Sequence, residues 1–281
     1  MQASQILRDR RPLSRHKCRG MKVIFIGDVV GEPGRNAVRD LLPMAKERFA
    51  PDFVIINGEN AAGGNGITPR LAIELMRYGA DAITLGDHAW DQKEIVPYFA
   101  TEPRLIRPFN YPEGTPGAGH VVVRGNGKAL GIINAQGRTF MRPELDNPFR
   151  LVVPLIEQIR AETPCILVDF HAEATSEKVA FGRYLDGRVS AVFGTHTHIP
   201  TADEMILPAG TAYITDVGMT GPYDSVIGRD AAAVVERYLT LLPQRWHLSH
   251  SDVRLSGAFV EIDEATGRAL QLERFQVRAT Q

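Results

Sequence analysis

Carboxylate, amide and imidazole side chains recur in this sequence at one kind of place, just past a short apolar run. Asp28 stands in GDVVG, Glu59 and Asn60 in NGEN, Asp87 and His88 in LGDHAWD, His171 in VDFHAE, and His196 and His198 in FGTHTH. One carboxylate after a strand is an ordinary turn residue. A succession of such turns, each ending in Asp, Glu, Asn or His, is not. Imidazole with carboxylate makes a ligand set for Mn, Fe, Zn or similar divalent ions. Two such ions about 3.5–4 Å apart can clamp a phosphate, lower the pKa of a bridging water and stabilise the leaving oxygen. A carboxylate between them offsets their mutual repulsion, and a neutral histidine outside the coordination shell can protonate the departing alkoxide.

The order of these motifs, GD…GDH…H…GTHTH, resembles the signature of the calcineurin-like metallophosphoesterases: a DxH, a GD, a GNH, a single His and a GHxH. It is more closely similar to the YmdB-type subgroup, through GDVVG, NGEN, GDHAWD, DFHAEATSEK, GTHTH and TDVGMTGPYDSVIG, from Met21 to the C-terminus. The resemblance implies an α/β fold, a four-layer αββα sandwich with mixed sheets. It also implies a binuclear metal centre, phosphodiesterase activity on cyclic nucleotides, and a homo-oligomer. Carried over by position, Asp28, Glu59, Asn60 and His198 would hold a first metal. Glu59 would bridge to a second, completed by Asp87, His171 and His196, with His88 as proton donor. Fe or Mn is the expected metal, with Zn and Mg as alternatives. Val30 stands where the wider superfamily has a His, and Glu59 where it has Asp; the subgroup shares both features. Asp87 stands where the family usually has Asn, which adds negative charge beside an anionic substrate.

The elements that must position these residues follow an α/β pattern. Lys22–Gly27, Asp52–Asn57 and Asp81–Leu85 read as buried strands. Helical spacing covers Gly34–Phe49, and Thr68-Pro69 marks the start of a helix that runs to Tyr78. Residues 101–118 read as a Pro- and Gly-rich loop. A hairpin follows, His120–Arg124 and Lys128–Asn134, turned at Gly125-Asn126-Gly127. Pro164–Asp169, Val189–Phe193 and Ala212–Thr215 are interior strands, with helices over Ala174–Tyr184 and Arg229–Leu242. A last hairpin pairs Val253–Asp263 with Ala269–Val277. No repeat or composition break divides the chain, so residues 21–281 are expected to form one domain.

Bulk composition narrows the function. The 281 residues carry a net charge of −1, so no global basic field exists to hold long nucleic acid. Cys18 and Cys165 are too few for a disulfide framework, which suits a reducing, cytoplasmic compartment. No apolar run has the length to span a bilayer. Residues 1–20 are rich in Arg and lack the apolar centre of a secretory signal. They read as a disordered basic extension, with a nucleic-acid-binding arm as the alternative. A small nucleotide is the expected substrate. Two other functions stay open: a phosphomonoesterase on the same metals, and a metal-binding scaffold with little turnover. Asn134, Gln136 and Arg138 could orient phosphate or serve the loop. Trp90 and Tyr223 could stack on a base or fill core and turn positions.

Overall fold

The computed structural model describes residues 20–278, so the basic extension expected over residues 1–20 lies outside the described residues apart from Gly20. In chain order the first elements are β1 (Gly20–Ile26), α1 (Gly31–Phe49), β2 (Phe53–Asn57), α2 (Pro69–Tyr78), β3 (Ala82–Thr84) and α3 (Ile95–Tyr98). The middle of the chain forms β4 (His120–Gly125), β5 (Lys128–Gln136), α4 (Pro148–Arg160), β6 (Ile166–His171), α5 (Thr175–Tyr184) and β7 (Ala191–Thr195). The remainder is β8 (Met205–Ile206), β9 (Ala212–Ile214), β10 (Gly221–Pro222), α6 (Ala231–Thr240), β11 (Val253–Asp263) and β12 (Ala269–Arg278).

Alternation along the strands sorts side chains into three separate cores and so produces four layers. Ile24 and Ile26 of β1, with Val54 and Ile56 of β2, face Val38, Leu41, Leu42 and Leu75 from α1 and α2. The intervening Val23, Phe25, Phe53 and Ile55 point the other way, onto Leu130, Ile132, Leu167 and Phe193 of a second sheet. That sheet turns Ile133, Val168 and Phe170 outward under Val152, Ile156 and Phe181 of α4 and α5. The period of two in each strand is therefore what stacks helix, sheet, sheet and helix.

Both sheets are mixed, as expected. In the first, β1, β2 and β3 run parallel, and β11 pairs antiparallel with β1 on one edge and β12 on the other. In the second the order is β4-β5-β6-β7-β9-β8, parallel from β5 to β9 with antiparallel edges. The parallel strands of both sheets carry the polar motifs at their carboxyl ends, where α/β sheets open to ligands.

Some elements differ from the sequence expectation. Helix α4 is not among the expected elements, and it contains two residues, Pro148 and Pro154, of a type that usually breaks helices. Pro148 occupies the first turn, where no donor is needed, behind Asn147, whose side chain accepts from the Phe149 amide. Val152, Ile156 and Ile159 then supply a buried stripe strong enough to hold Pro154 inside the helix. The short α3, β8 and β10 are likewise additions. Strands β5, β6 and β7 each run two residues further than expected, which places His171 inside β6 rather than after it.

Candidate metal centre

Polar residues replace the apolar inter-sheet core just beneath the carboxyl ends of the strands. Asp169 of β6 lies fully buried between the sheets and accepts from Asn57 Nδ2 at 2.9 Å, Thr84 Oγ1 at 2.5 Å and Thr195 Oγ1 at 2.7 Å. Burial pushes its pKa up to about 6, against the pull of His171 and these hydrogen bonds. Asn57 Oδ1 in turn accepts from the Glu59 amide, and Asn134 Oδ1 accepts from the Leu85 amide across the sheets. One buried carboxylate thus ties β2, β3, β6 and β7 together directly below the functional turns.

Above it, ligand atoms of Glu59, Asp87, His171 and His196 all lie within 4.8 Å of one another. His171 Nε2 is 3.0 Å from Glu59 Oε1, 3.0 Å from Asp87 Oδ1 and 3.0 Å from His196 Nδ1. The other nitrogen fixes the tautomer. Thr195 Oγ1 spends its proton on Asp169, so it accepts from His171 Nδ1–H at 2.8 Å and leaves the Nε2 lone pair facing the carboxylates. His196 is oriented in the same way by a residue the motifs did not single out: Glu173 Oε2 sits 3.0 Å from Nε2 and turns Nδ1 inward.

Asp28, Asn60 and His198 form the neighbouring part of the site, outside that group. Asp28 is fully buried; Oδ2 accepts from the His196 amide at 3.2 Å and Oδ1 lies 3.8 Å from His171 Nδ1. His198 Nδ1 donates to the Ile227 carbonyl at 3.2 Å, so in the neutral ring Nε2 is an acceptor. Asn60 donates from Nδ2 to Gly64 O, which turns its Oδ1 toward that Nε2 at 3.2 Å. Two acceptors face one another there. Asp28 Oδ1 and Glu59 Oε2 are buried without any partner. Buried acceptors left in this way cost stability unless a cation or proton satisfies them, so the donor set fits divalent metal.

Burial and neighbouring charge shift several of the ionisable groups here. Burial alone would strip the proton from His171, but the Glu59 and Asp87 carboxylates outweigh it and raise its pKa well above the usual value. Burial likewise opposes ionisation of Asp87, yet hydrogen bonds from His171 and His196 hold its carboxyl well below the ordinary range. Burial pushes the Asp28 carboxyl up to about 6 although His198 and His171 pull it down.

The motif glycines have a steric cause. A Cβ at Gly86 would stand 2.1 Å from Glu59 Oε2 and 2.4 Å from His171 Nε2, and one at Gly194 would stand 1.7 Å from the Thr215 carbonyl. Between the GTHTH histidines the chain is strained: φ is 97° at His196 and 67° at His198, a region that side-chain-bearing residues rarely adopt. The strain is held by Asp216, whose Oδ2 accepts from the Thr197 amide and hydroxyl and pairs with buried Lys178 Nζ at 2.7 Å.

His88 stands at the rim, with Nε2 3.9 Å from Asp87 Oδ2 and its side chain 30% exposed. Its Nδ1 is 2.8 Å from Asp91 Oδ2, a partner three residues on in GDHAWD that the motif reading left out. Asn65 approaches both, and Arg229 Nη2 donates to the Asn65 side-chain Oδ1 at 2.8 Å. Trp90 packs against Phe99 and Tyr111, which gives it a core role. Tyr223 donates to the Met219 carbonyl beneath Arg254, a turn role. Arg138 binds Glu144, and its amide donates to Glu177.

Comparison with known proteins agrees with this arrangement. The profile of the YmdB-like protein family matches residues 24–275. A Bacillus subtilis (strain 168) protein named 2′,3′-cyclic-nucleotide 2′-phosphodiesterase is 53% identical over 92% of this chain and 97% of its own. A crystal structure of a Thermus thermophilus protein titled hypothetical superposes with a TM-score of 0.86 at 44% identity, over 92% of this chain and 100% of the other. The NAD nucleotidase of Haemophilus influenzae shares the fold alone, with a TM-score of 0.58 at 9% identity over 92% of this chain and 56% of the other. With the family profile matching residues 24–275 and a relative 53% identical over 92% of this chain, the protein belongs to the YmdB-like family of metallophosphoesterases.

Proposed function

We propose that this enzyme hydrolyses phosphodiester bonds of small nucleotides, 2′,3′-cyclic nucleotides foremost, at a binuclear divalent metal centre. The observation that carries the reading is the convergence of Glu59, Asp87, His171 and His196 within 4.8 Å at the carboxyl ends of parallel strands. The name of the 53% identical relative supports the substrate class. Asp28, Glu59, Asn60 and His198 would hold one ion, and Glu59, Asp87, His171 and His196 would hold the other. Fe or Mn suits this donor set, as do Zn and Mg less closely. Bound metal supplies charge neutralisation for the phosphate and a water acidic enough to attack phosphorus at neutral pH.

The chain's own residues do the rest. Thr195 and Glu173 hold the ligand nitrogens of His171 and His196 inward, so little reorganisation is needed when substrate arrives. Asp91 anchors His88 through Nδ1–H, so it is the imidazolium form of His88 that carries a proton on Nε2 at the rim and gives it to the departing ribose oxygen. Water adds across the P–O bond: hydroxide to phosphorus, the proton to that oxygen.

A homo-oligomer, a cytoplasmic location and a single domain over residues 21–281 behind a basic extension complete the reading. No described helix is long and apolar enough to cross a membrane, and the net charge of −1 disfavours long nucleic acid. Metal analysis of the purified protein, coupled to hydrolysis assays on cyclic nucleotides, nucleotide monophosphates and p-nitrophenyl diesters, tests it. Turnover confined to monoesters would replace the substrate class, and metal without turnover would leave a scaffold.

A further inference from the structure

The phenols of Tyr213 and Tyr223 both find partners inside the fold. Tyr213 Oη pairs with Thr215 Oγ1 at 2.9 Å, and Tyr223 donates to the Met219 carbonyl at 3.0 Å. Tyr111 is different: its Oη is buried and has no hydrogen-bond partner among the described residues. Such a hydroxyl is a standing cost to the fold. Asp28 Oδ1 and Glu59 Oε2 are in the same condition, but they are acceptors, and metal satisfies them. Metal does nothing for a phenol O–H, whose hydrogen needs an acceptor. The Trp90 indole meets the ring edge-on, with centroids 5.6 Å apart, and it too offers only a donor.

The fold holds Tyr111 beside the metal centre from two sides. Asn110 donates from Nδ2 to the Gln136 carbonyl at 2.9 Å, and its Oδ1 accepts from the Gln136 amide at 3.0 Å. That clamp fixes the chain at the end of β5, where Gln136 is in register with His171. Adjacent strands lie about 4.8 Å apart, so the clamp stands one strand away from a proposed ligand. On the other side, Trp90 belongs to the turn that carries Asp87 and His88. Arg107 braces the ring, its guanidinium 5.8 Å from the centroid and itself held by the carbonyls of Pro108, Thr115 and Gly117. Burial pushes the Tyr111 pKa up to about 12, and the Asp87 and Glu59 carboxylates add to the rise. The ring therefore lies in the field of the metal-site acids and keeps its proton at any working pH.

We propose that Tyr111 is a substrate-contacting residue, whose O–H donates to a non-bridging phosphate oxygen when the phosphate is held at the metal centre. This contact rests on the hydrolytic function proposed above and adds to it a residue from the Pro- and Gly-rich loop, outside every motif. The phosphate brings what the metals alone do not, a charged acceptor for a buried donor. Its non-bridging oxygens gain negative charge as phosphorus is attacked. A donor already fixed by Arg107 and Trp90 meets that charge without having to reorganise.

The test uses the full chain loaded with Mn²⁺ and inorganic phosphate as the probe, which has neither sugar nor base. Titration calorimetry should show phosphate binding that Tyr111→Phe weakens about 10-fold or more, with Mn²⁺ content unchanged. The Tm of ligand-free Tyr111→Phe should equal or exceed that of wild type, because the change removes an unsatisfied polar group and keeps the ring. Tyr213→Phe supplies the contrast. Its hydroxyl is already satisfied, so Tm should fall while phosphate affinity holds. Phosphate affinity that Tyr111→Phe leaves unchanged overturns the proposal and spares the metal-centre reading. So does a lower Tm for Tyr111→Phe, which would mean a structural bridge, for instance to Gln136 Oε1, another buried atom without a partner. A wild type that holds Mn²⁺ but binds no phosphate overturns the hydrolytic reading and this contact with it.

Discussion

Asp87 is the residue whose chemistry most shapes this centre. It adds a carboxylate to those of Asp28 and Glu59, and its Oδ1 lies 3.0 Å from His171 Nε2. An amide at that position could still coordinate through one oxygen, but without the full negative charge. Asp87→Asn is therefore expected to weaken metal retention about 10- to 100-fold, with circular dichroism unchanged and turnover or metal preference altered. Equal metal content after dialysis against chelator, together with equal activity, would refute the electrostatic account. His88 makes the complementary case. It lies outside the ligand group and contacts Asp91, so His88→Ala should lower kcat about 10²- to 10⁴-fold while metal content holds. An unchanged kcat would assign the proton to another donor.

At the scale of elements, the loop after β7 is the part most dependent on remote support. Helix α5 contributes Lys178, 1% exposed, to a pair with fully buried Asp216. Asp216 in turn grips Thr197 between two histidines held at positive φ. Lys178→Met keeps the volume but leaves a buried carboxylate without its cation. The expected cost is about 3–5 kcal/mol, read as a lower denaturation midpoint, with a loss of metal affinity as the GTHTH loop relaxes. A midpoint within experimental error of wild type would show that the amides alone suffice to hold Asp216. These supports also mark where sequence reading stopped. Strand periodicity was enough to place β1, β2, β3, β6 and β7, and the polar turns that follow them include Glu59, Asp87, His171 and His196, which the fold brings together; the ligand roles came from the family resemblance. The orienting residues leave weaker marks. Asp169, Thr195 and Glu173 lie on a strand or in a turn where Asp, Thr and Glu are unremarkable, and only the fold brings them under or beside the ligands. Asp91 was within reach, three residues beyond His88 in the same motif. Helix α4 went unread, and in it the donor that Pro154 lacks is outweighed by packing that no local pattern records.

Across the whole molecule, the buried acids couple folding, protons and metal. Asp28 and Asp169 rise from 3.8 to about 6 on burial, and His171 is raised well above 6.5 by its carboxylate neighbours, which outweigh burial. Each of these groups keeps a proton in the folded chain at a pH where the unfolded chain has lost it. Their contribution to metal-free stability is therefore greatest at acid pH. It declines as pH rises from about 4 through about 6 for the acids, and continues to decline through the higher folded value for His171. Metal reverses the dependence. A divalent ion needs Asp28 and His171 deprotonated, so binding expels the protons and tightens as pH rises. The rise in Tm produced by saturating Mn²⁺ over chelator should thus be small near about pH 5 and grow steadily toward about pH 8. Calorimetry in two buffers of different ionisation enthalpy should register proton release on binding at the acid end. A metal-induced rise that is constant with pH, or largest at acid pH, would mean that cations do not replace protons at these residues. The buried acceptors around Asp28 and His171 would then need another explanation.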